Sequence, residues 1–211
     1  MATFTKKFRN LGKFLGFEKK PLPVRIGDLS GFRTEGNELL CQALQNADRY
    51  AEFGMGRSTV YAARLGGVEI RAVETDRRWV EAVRANVPEV AKGLVHVDLG
   101  PTGAWGRPVS YERKADFHKY FQEPFANDFR PDLILVDGRF RISCWATTML
   151  AAPSGAKLVF DDYPIRPHYH EVERIQEPDE VRGNQAMFVV PRAPNKRALK
   201  EMVREFQFVM D

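Results

Sequence analysis

From residue 49 onward, short apolar runs alternate with longer stretches of helical period, and that rhythm predicts a parallel sheet covered by helices. Strands are predicted at 49–53, 69–74, 94–98, 133–137, 157–161, 186–190 and 206–210. Helices fit between them over 58–65, 77–86, 115–122, 141–150, 167–176 and 196–205. The long stretch 99–130, rich in Gly, Pro and aromatic residues, predicts an ordered surface element over a binding site.

The pattern differs ahead of that domain. At 100° per residue Phe4, Phe8, Leu11 and Leu15 share one helical face, with Lys6, Arg9 and Lys13 opposite. Residues 1–20 therefore read as a basic amphipathic helix. It either packs its apolar stripe on the domain or meets a membrane surface or partner protein through residues 4–17. Pro21 and Pro23 end it, and residues 21–47 read as a linker with a leading helix marked by Leu39, Leu40, Ala43 and Leu44. Residues 48–211 form the expected main domain.

Charge changes the picture less than its total suggests. The 211 residues carry 32 Lys+Arg against 28 Asp+Glu, a net +4 and a pI near 9.1, which raises the question of nucleic acid. Residues 1–20 alone hold +5, leaving about −1 for the rest, so no nucleic-acid partner is expected. Cys41 and Cys144 stand far apart without zinc-ligand spacing and read as buried, reduced thiols. With no apolar run of membrane length and no signal-peptide core, the expected location is cytoplasmic.

The chemistry is concentrated at strand ends. Glu52-Phe53-Gly54-Met55-Gly56-Arg57-Ser58-Thr59 is a strand, a glycine turn and a helix start. Glycines there let backbone approach a ligand closely. Glu74 ends the next strand, where a carboxylate can accept both ribose hydroxyls of a nucleoside cofactor. Nicotinamide enzymes want an apolar residue before the glycines and a small third residue; here those positions hold Glu52 and Thr59. A buried carboxylate is costly unless paired, so Glu52 calls for a cationic partner, which the methionine ammonium of S-adenosylmethionine provides.

On these residues, with Ala72-Val73-Glu74-Thr75-Asp76, Val97-Asp98 and Pro131-Asp132-Leu133-Ile134-Leu135-Val136-Asp137-Gly138, the chain over 48–211 resembles the class I S-adenosylmethionine-dependent methyltransferases. Val136 to Arg141 and Phe160-Asp161-Asp162-Tyr163 look like a group of poorly characterised bacterial methyltransferase-like proteins within that class. The resemblance implies an α/β, Rossmann-like, doubly wound, mostly parallel seven-stranded sheet with helices on both faces and an antiparallel last strand. It also implies a cofactor site built from Glu52, Gly54, Met55, Gly56, Ser58, Thr59, Glu74, Thr75, Asp98 and Asp137, with Glu74 on the ribose and Asp98 on the adenine edge. Ser58 stands where many members have a third glycine.

For the acceptor several residues are candidates. Asp137, Asp161 and Asp162 lie where metal-dependent O-methyltransferases hold Mg²⁺, which would lower the acceptor's pKa; alternatively they cap helices or pair with arginines. Arg139 and Arg141 could bind an acceptor carboxylate or phosphate, or neutralise the aspartates. Asp137, His168 and His170 are candidate catalytic groups, the histidines as general bases or as exposed helix-start residues. Trp105 and Tyr163 are candidate acceptor contacts. Trp79 and Trp145 are expected in the core. Base amine methylation wants D/N-P-P-Y/F/W after the strand at 133–137, and Asp137-Gly138-Arg139-Phe140 occupies that place. The leading expectation is methylation of a small-molecule acceptor, at oxygen more than nitrogen. The alternatives are a catalytically inactive cofactor-binding module docking through its N-terminal helix, and an NAD-dependent oxidoreductase.

Overall fold

The computed structural model describes residues 24–211. The amphipathic segment expected over 1–20 lies outside the described residues. Seven strands form one sheet: β1 (Arg49–Phe53), β2 (Glu69–Glu74), β3 (Leu94–His96), β4 (Leu133–Val136), β5 (Lys157–Asp161), β6 (Glu180–Arg182) and β7 (Gln185–Val189). Their order is β3-β2-β1-β4-β5-β7-β6. The first five run parallel, β7 pairs antiparallel with β5, and β6 pairs antiparallel with β7. The helices are α1 (Glu38–Leu44), α2 (Arg57–Leu65), α3 (Arg77–Asn86), α4 (Phe117–Gln122), α5 (Arg141–Ala151) and α6 (Lys196–Phe206).

Helices on both faces explain the sequence of the central strands. In β4 all four residues are buried: Leu133 and Leu135 join the core layer under α1, α2 and α3, while Ile134 and Val136 join the one under α4, α5 and α6. Strand periodicity sends alternate side chains to opposite layers, so a doubly covered strand reads as continuously apolar. α5 is the deepest helix; Trp145 is fully buried and meets Phe188 edge-on, ring centroids 5.5 Å apart. Burial of each such large side chain stabilises the fold by about 1.5–3 kcal/mol.

Two sequence expectations are corrected, the last strand and the helix over 167–176. No strand forms over 206–210: α6 runs to Phe206, and Phe208 and Val209 lie partly in solvent. The seventh strand is instead β6, three residues long, turned back into β7 through Gly183-Asn184 with Gly183 at φ +59°. The leading helix expected within 21–47 forms as α1, which buries Leu39, Leu40, Cys41, Ala43 and Leu44 in the first core layer. Over 167–176 the chain forms a 3₁₀ helix, Pro167–Arg174, in place of an α-helix. No helix of the described residues is long and apolar enough to cross a membrane.

Candidate functional site

Strand order reverses between β1 and β4, and the loops beyond their carboxyl ends diverge there, as ligand sites of open parallel sheets require. A cavity of about 620 Å³ opens at that point. Its walls are the glycine loop 54–58, the loops after β4 and β5, the Trp105 loop, and Gly27, Phe32 and Asn37 from the segment ahead of β1.

The two loop glycines play different parts. Gly54 sits at φ +91°, a conformation costly for residues with a Cβ. Gly56 is extended (φ −178°) and caps α2 by donating its N–H to Thr59 Oγ1 at 3.1 Å. Thr59 therefore serves the loop and does not line the cavity. Behind the loop, Glu52 is fully buried. The Ser58 hydroxyl donates to its Oε1, while Oε2 has no hydrogen-bond partner, nor has the neighbouring Tyr50 hydroxyl. Burial pushes the Glu52 carboxyl up to about 8, against the lowering effect of the Ser58 and Thr59 hydroxyls. In such a setting the charged form of the carboxyl is costly unless a cation or further donors face it.

Glu74 lines the cavity and is tied down by three backbone amides, from Met55 (3.1 Å, to Oε2), Thr75 (2.6 Å) and Asp76 (2.9 Å). The first of these joins the glycine loop to β2. Thr75 donates its hydroxyl to the Gly106 carbonyl, which brings the loop 100–108 over Glu74. Gly106 is required there, since a Cβ would stand 2.5 Å from Glu74 Oε1. Beside it Trp105, at φ +56° and 73% exposed, stacks on Trp79 at 6.2 Å and 25°. Both indoles line the cavity. Trp79 is thus a site residue, while Trp145 is core as expected.

Asp98 is not brought to the cavity. Its carboxylate turns outward to Arg113 (2.8 Å) and the Gly100 N–H (2.9 Å), beyond the end of β3 at His96. His168 and His170 are not brought there either. His168 is half exposed, 3.9 Å from Asp211, and His170 lies flat on Tyr163 at 4.6 Å beside Glu173. Tyr163 is a core residue, its ring edge-on to Phe160 and Phe188 and its hydroxyl donated to Glu173 at 2.7 Å.

Asp137, Asp161 and Asp162 do converge, each offering an oxygen within 4.8 Å of the others. Burial raises the carboxyl pKa of Asp137 and of Asp161, and Asp137's charge adds to the rise at Asp161. Between them lies the Arg141 guanidinium, 3% exposed. It donates to Asp137 Oδ1 (2.8 Å), the Asp161 carbonyl (2.8 Å) and the Gly138 carbonyl (3.0 Å), and stands 3.4 Å from Asp162 Oδ2. Arg166 also reaches Asp162 Oδ2 (3.0 Å), Asn184 binds its Oδ1 (2.7 Å), and Gln185 binds Asp161 (3.1 Å). Mg²⁺ needs near-octahedral oxygens at about 2.0–2.1 Å. Two guanidiniums and two amides engage Asp137 Oδ1, Asp161 Oδ1 and both oxygens of Asp162, which leaves one oxygen each on Asp137 and Asp161. The Arg141 guanidinium stands among the three carboxylates where a cation would sit, so the donor set as arranged fits the ion poorly. Arg141 thus clamps the aspartates while also lining the cavity.

Sequence reasoning missed Phe32, Asn37, Arg57, Trp79, Arg166 and Gln185, all of which line the cavity. Arg57 stands over the Phe32 ring at 5.4 Å and pairs with Glu35 at 2.7 Å, fastening the segment ahead of α1 to the glycine loop. Only Arg57, inside the glycine motif, carried a local signal.

No protein-family model matches the chain. Among solved structures it is similar to a methyltransferase-like protein from Silicibacter pomeroyi DSS-3, 31% identical over 88% of this chain and 98% of that one, TM-score 0.74. Among curated proteins it is similar to NADPH oxidase activator 1 of Rattus norvegicus, 37% identical over 119 residues, 52% of this chain. The chain spans 22% of the length of that relative.

Proposed function

Given that the chain belongs to the class I S-adenosylmethionine-dependent methyltransferases, we propose that it methylates a small-molecule acceptor, at oxygen more than nitrogen. The observation that carries this reading is Glu52: a fully buried carboxylate with one oxygen unpartnered, directly behind a glycine loop that opens on the cavity. S-adenosylmethionine supplies an α-ammonium that is charged at neutral pH and, on its permanently charged sulfonium, an electrophilic methyl group.

The residues present fit that cofactor. Glu52, with Ser58 between it and the cavity, attracts the ammonium directly or through one water. Gly54 lets the glycine loop close against the Gly138 backbone, a contact that a Cβ would block and that sets the cavity floor. Glu74 is held rigid by the amides of Met55, Thr75 and Asp76, so its remaining acceptor capacity is preorganised for ribose hydroxyls. Trp79 and Trp105 make a flat aromatic wall suited to a purine.

At the far end Asp137 faces the cavity with a side chain 41% exposed. An in-line displacement requires the acceptor oxygen to be aligned with the methyl and relieved of its proton. The bound cofactor would supply the methyl electrophile and its sulfur leaving group, and the Asp137 carboxylate, facing the cavity, would accept the proton of the acceptor hydroxyl. Arg141 keeps that carboxylate in place and compensates its charge. No step runs through a metal. The test is equilibrium binding of S-adenosylhomocysteine against NAD, followed by release of S-adenosylhomocysteine across a panel of hydroxyl and amine acceptors. Preference for NAD would overturn the reading of Glu52, and binding without turnover on any acceptor would favour an inactive cofactor-binding module.

A further inference from the structure

The acceptor's chemical class is written in the cavity's arginines, on the premise that the methyltransferase reading holds. Four of them line it: Arg57, Arg139, Arg141 and Arg166. Three are engaged, Arg57 by Glu35 (2.7 Å), Arg141 by Asp137 (2.8 Å), and Arg166 by Asp162 (3.0 Å). Arg139 has no carboxylate within ion-pair distance among the described residues, and its Nε is buried without a hydrogen-bond partner.

Its backbone, by contrast, is fixed. The Arg139 N–H donates to the Tyr120 hydroxyl at 3.4 Å and its carbonyl accepts the Cys144 thiol at 3.3 Å. The aspartate cluster is compensated without it, because Arg141, Arg166, Asn184 and Gln185 already bind those oxygens. Arg139's charge reaches Asp137 only at longer range. A half-buried guanidinium whose desolvation no partner offsets is an anion site in waiting. Its planar fork matches carboxylate or phosphate oxygens, and it lies two residues beyond the proton-accepting Asp137.

We propose that Arg139 anchors the acceptor, and that the acceptor is a small molecule carrying a carboxylate or phosphate besides the group that is methylated.

The test uses the full chain saturated with S-adenosylhomocysteine, titrated calorimetrically with benzoate, its neutral isostere benzamide, and inorganic phosphate. Benzoate or phosphate should bind at least tenfold more tightly than benzamide. Which of the two binds distinguishes a carboxylate from a phosphate acceptor. Arg139→Gln should erase the preference while S-adenosylhomocysteine affinity, read in the same sample, shows the cofactor site intact. Arg139→Lys, which keeps the charge and loses the fork, should hold phosphate but lose at least threefold on benzoate. Anions binding no better than benzamide, or an unchanged preference in Arg139→Gln, would overturn the proposal and leave the methyltransferase reading standing. Failure of the wild-type chain to bind S-adenosylhomocysteine would instead remove the premise.

Discussion

A Cβ placed on Gly54 would lie 2.8 Å from the Gly138 Cα, and one placed on Gly138 would lie 2.8 Å from the Gly54 amide nitrogen. The loops after β1 and β4 thus meet backbone to backbone, with the Tyr120 hydroxyl closing the contact from outside. This contact sets the floor of the cavity, because it fixes the distance between the glycine loop and Asp137. It also gives the two glycines of the loop unequal weight. Gly54→Ala combines a positive φ with a backbone clash and should cost about 1–3 kcal/mol of stability, with at least a tenfold loss of S-adenosylhomocysteine affinity. Gly56→Ala has an extended backbone and only the Trp79 ring at 3.8 Å, so stability should change by less than about 0.5 kcal/mol. Thermal unfolding and calorimetry of both variants check the contrast; equal destabilisation would show that the close approach is unimportant.

Glu52 predicts a pH dependence. Its folded pKa of about 8 stands above the ordinary 4.5, so the free protein holds an extra proton between those values, and the Glu52 contribution to stability falls as pH rises through that window. An ammonium beside it favours the charged carboxylate and drives that proton off. At pH 7 cofactor binding should release about one proton, seen as a dependence of the calorimetric enthalpy on the buffer's ionisation enthalpy. Glu52→Gln should abolish the release and weaken binding. An enthalpy independent of buffer in the wild-type chain would remove the ammonium from this position.

The two histidines should be dispensable. Neither lines the cavity, and each is occupied at the surface, His168 near Asp211 and His170 on Tyr163. His168→Gln and His170→Gln are expected to keep turnover within threefold and to leave the pH–rate profile in place. A profile that loses a limb in either variant would make that histidine the base.

Residues whose neighbours in sequence are also their neighbours in space were legible from the chain alone. The glycine loop, Glu52 and Glu74 follow directly from strand ends, and the continuous apolar run of β4 announced a doubly covered strand. What sequence could not give was direction and distance. Asp98 sits at a strand-end position yet turns to Arg113, and Arg141 neighbours Arg139 yet points inward to the aspartates while Arg139 does not. Asn37 and Gln185 reach the cavity from 148 residues apart, Gln185 donating to the Asn37 side chain and accepting the Leu40 amide. The β6–β7 hairpin had a local signal in Gly183-Asn184, whereas Phe206 to Met210 mimicked a strand because two aromatic residues at a helix end share its composition.

Arg141 predicts indifference to divalent cations. Its guanidinium engages Asp137 and Asp162 and three backbone carbonyls, those of Asp137, Gly138 and Asp161. Mg²⁺ up to millimolar concentration should neither shift the melting temperature nor alter turnover, and EDTA should have no effect. Arg141→Met leaves buried acceptors unpaired and should cost about 3–5 kcal/mol, measured by denaturant unfolding. A Mg²⁺-dependent rise in melting temperature of the wild-type chain would put the ion back among the aspartates.

Glu74 and Asp98 separate the two acidic strand ends most sharply. Glu74 accepts three backbone amides and supports the Gly106 turn that carries Trp105. Glu74→Gln turns an amide NH₂ toward backbone donors, so a donor–donor conflict replaces at least one hydrogen bond at a cost of about 1–3 kcal/mol. The Met55 loop and the Trp105 roof should both loosen, with at least a tenfold drop in S-adenosylhomocysteine affinity. Trp105 on its stacked partner Trp79 gives a second readout, since loss of the stack alters intrinsic fluorescence before any ligand is added. Asp98→Asn removes only a solvent-facing pair with Arg113, whose worth is small, and affinity should stay within threefold. If Asp98→Asn weakens binding as much as Glu74→Gln, the chain must bend back at Asp98 when the cofactor is bound, and the outward carboxylate would be only the unliganded arrangement.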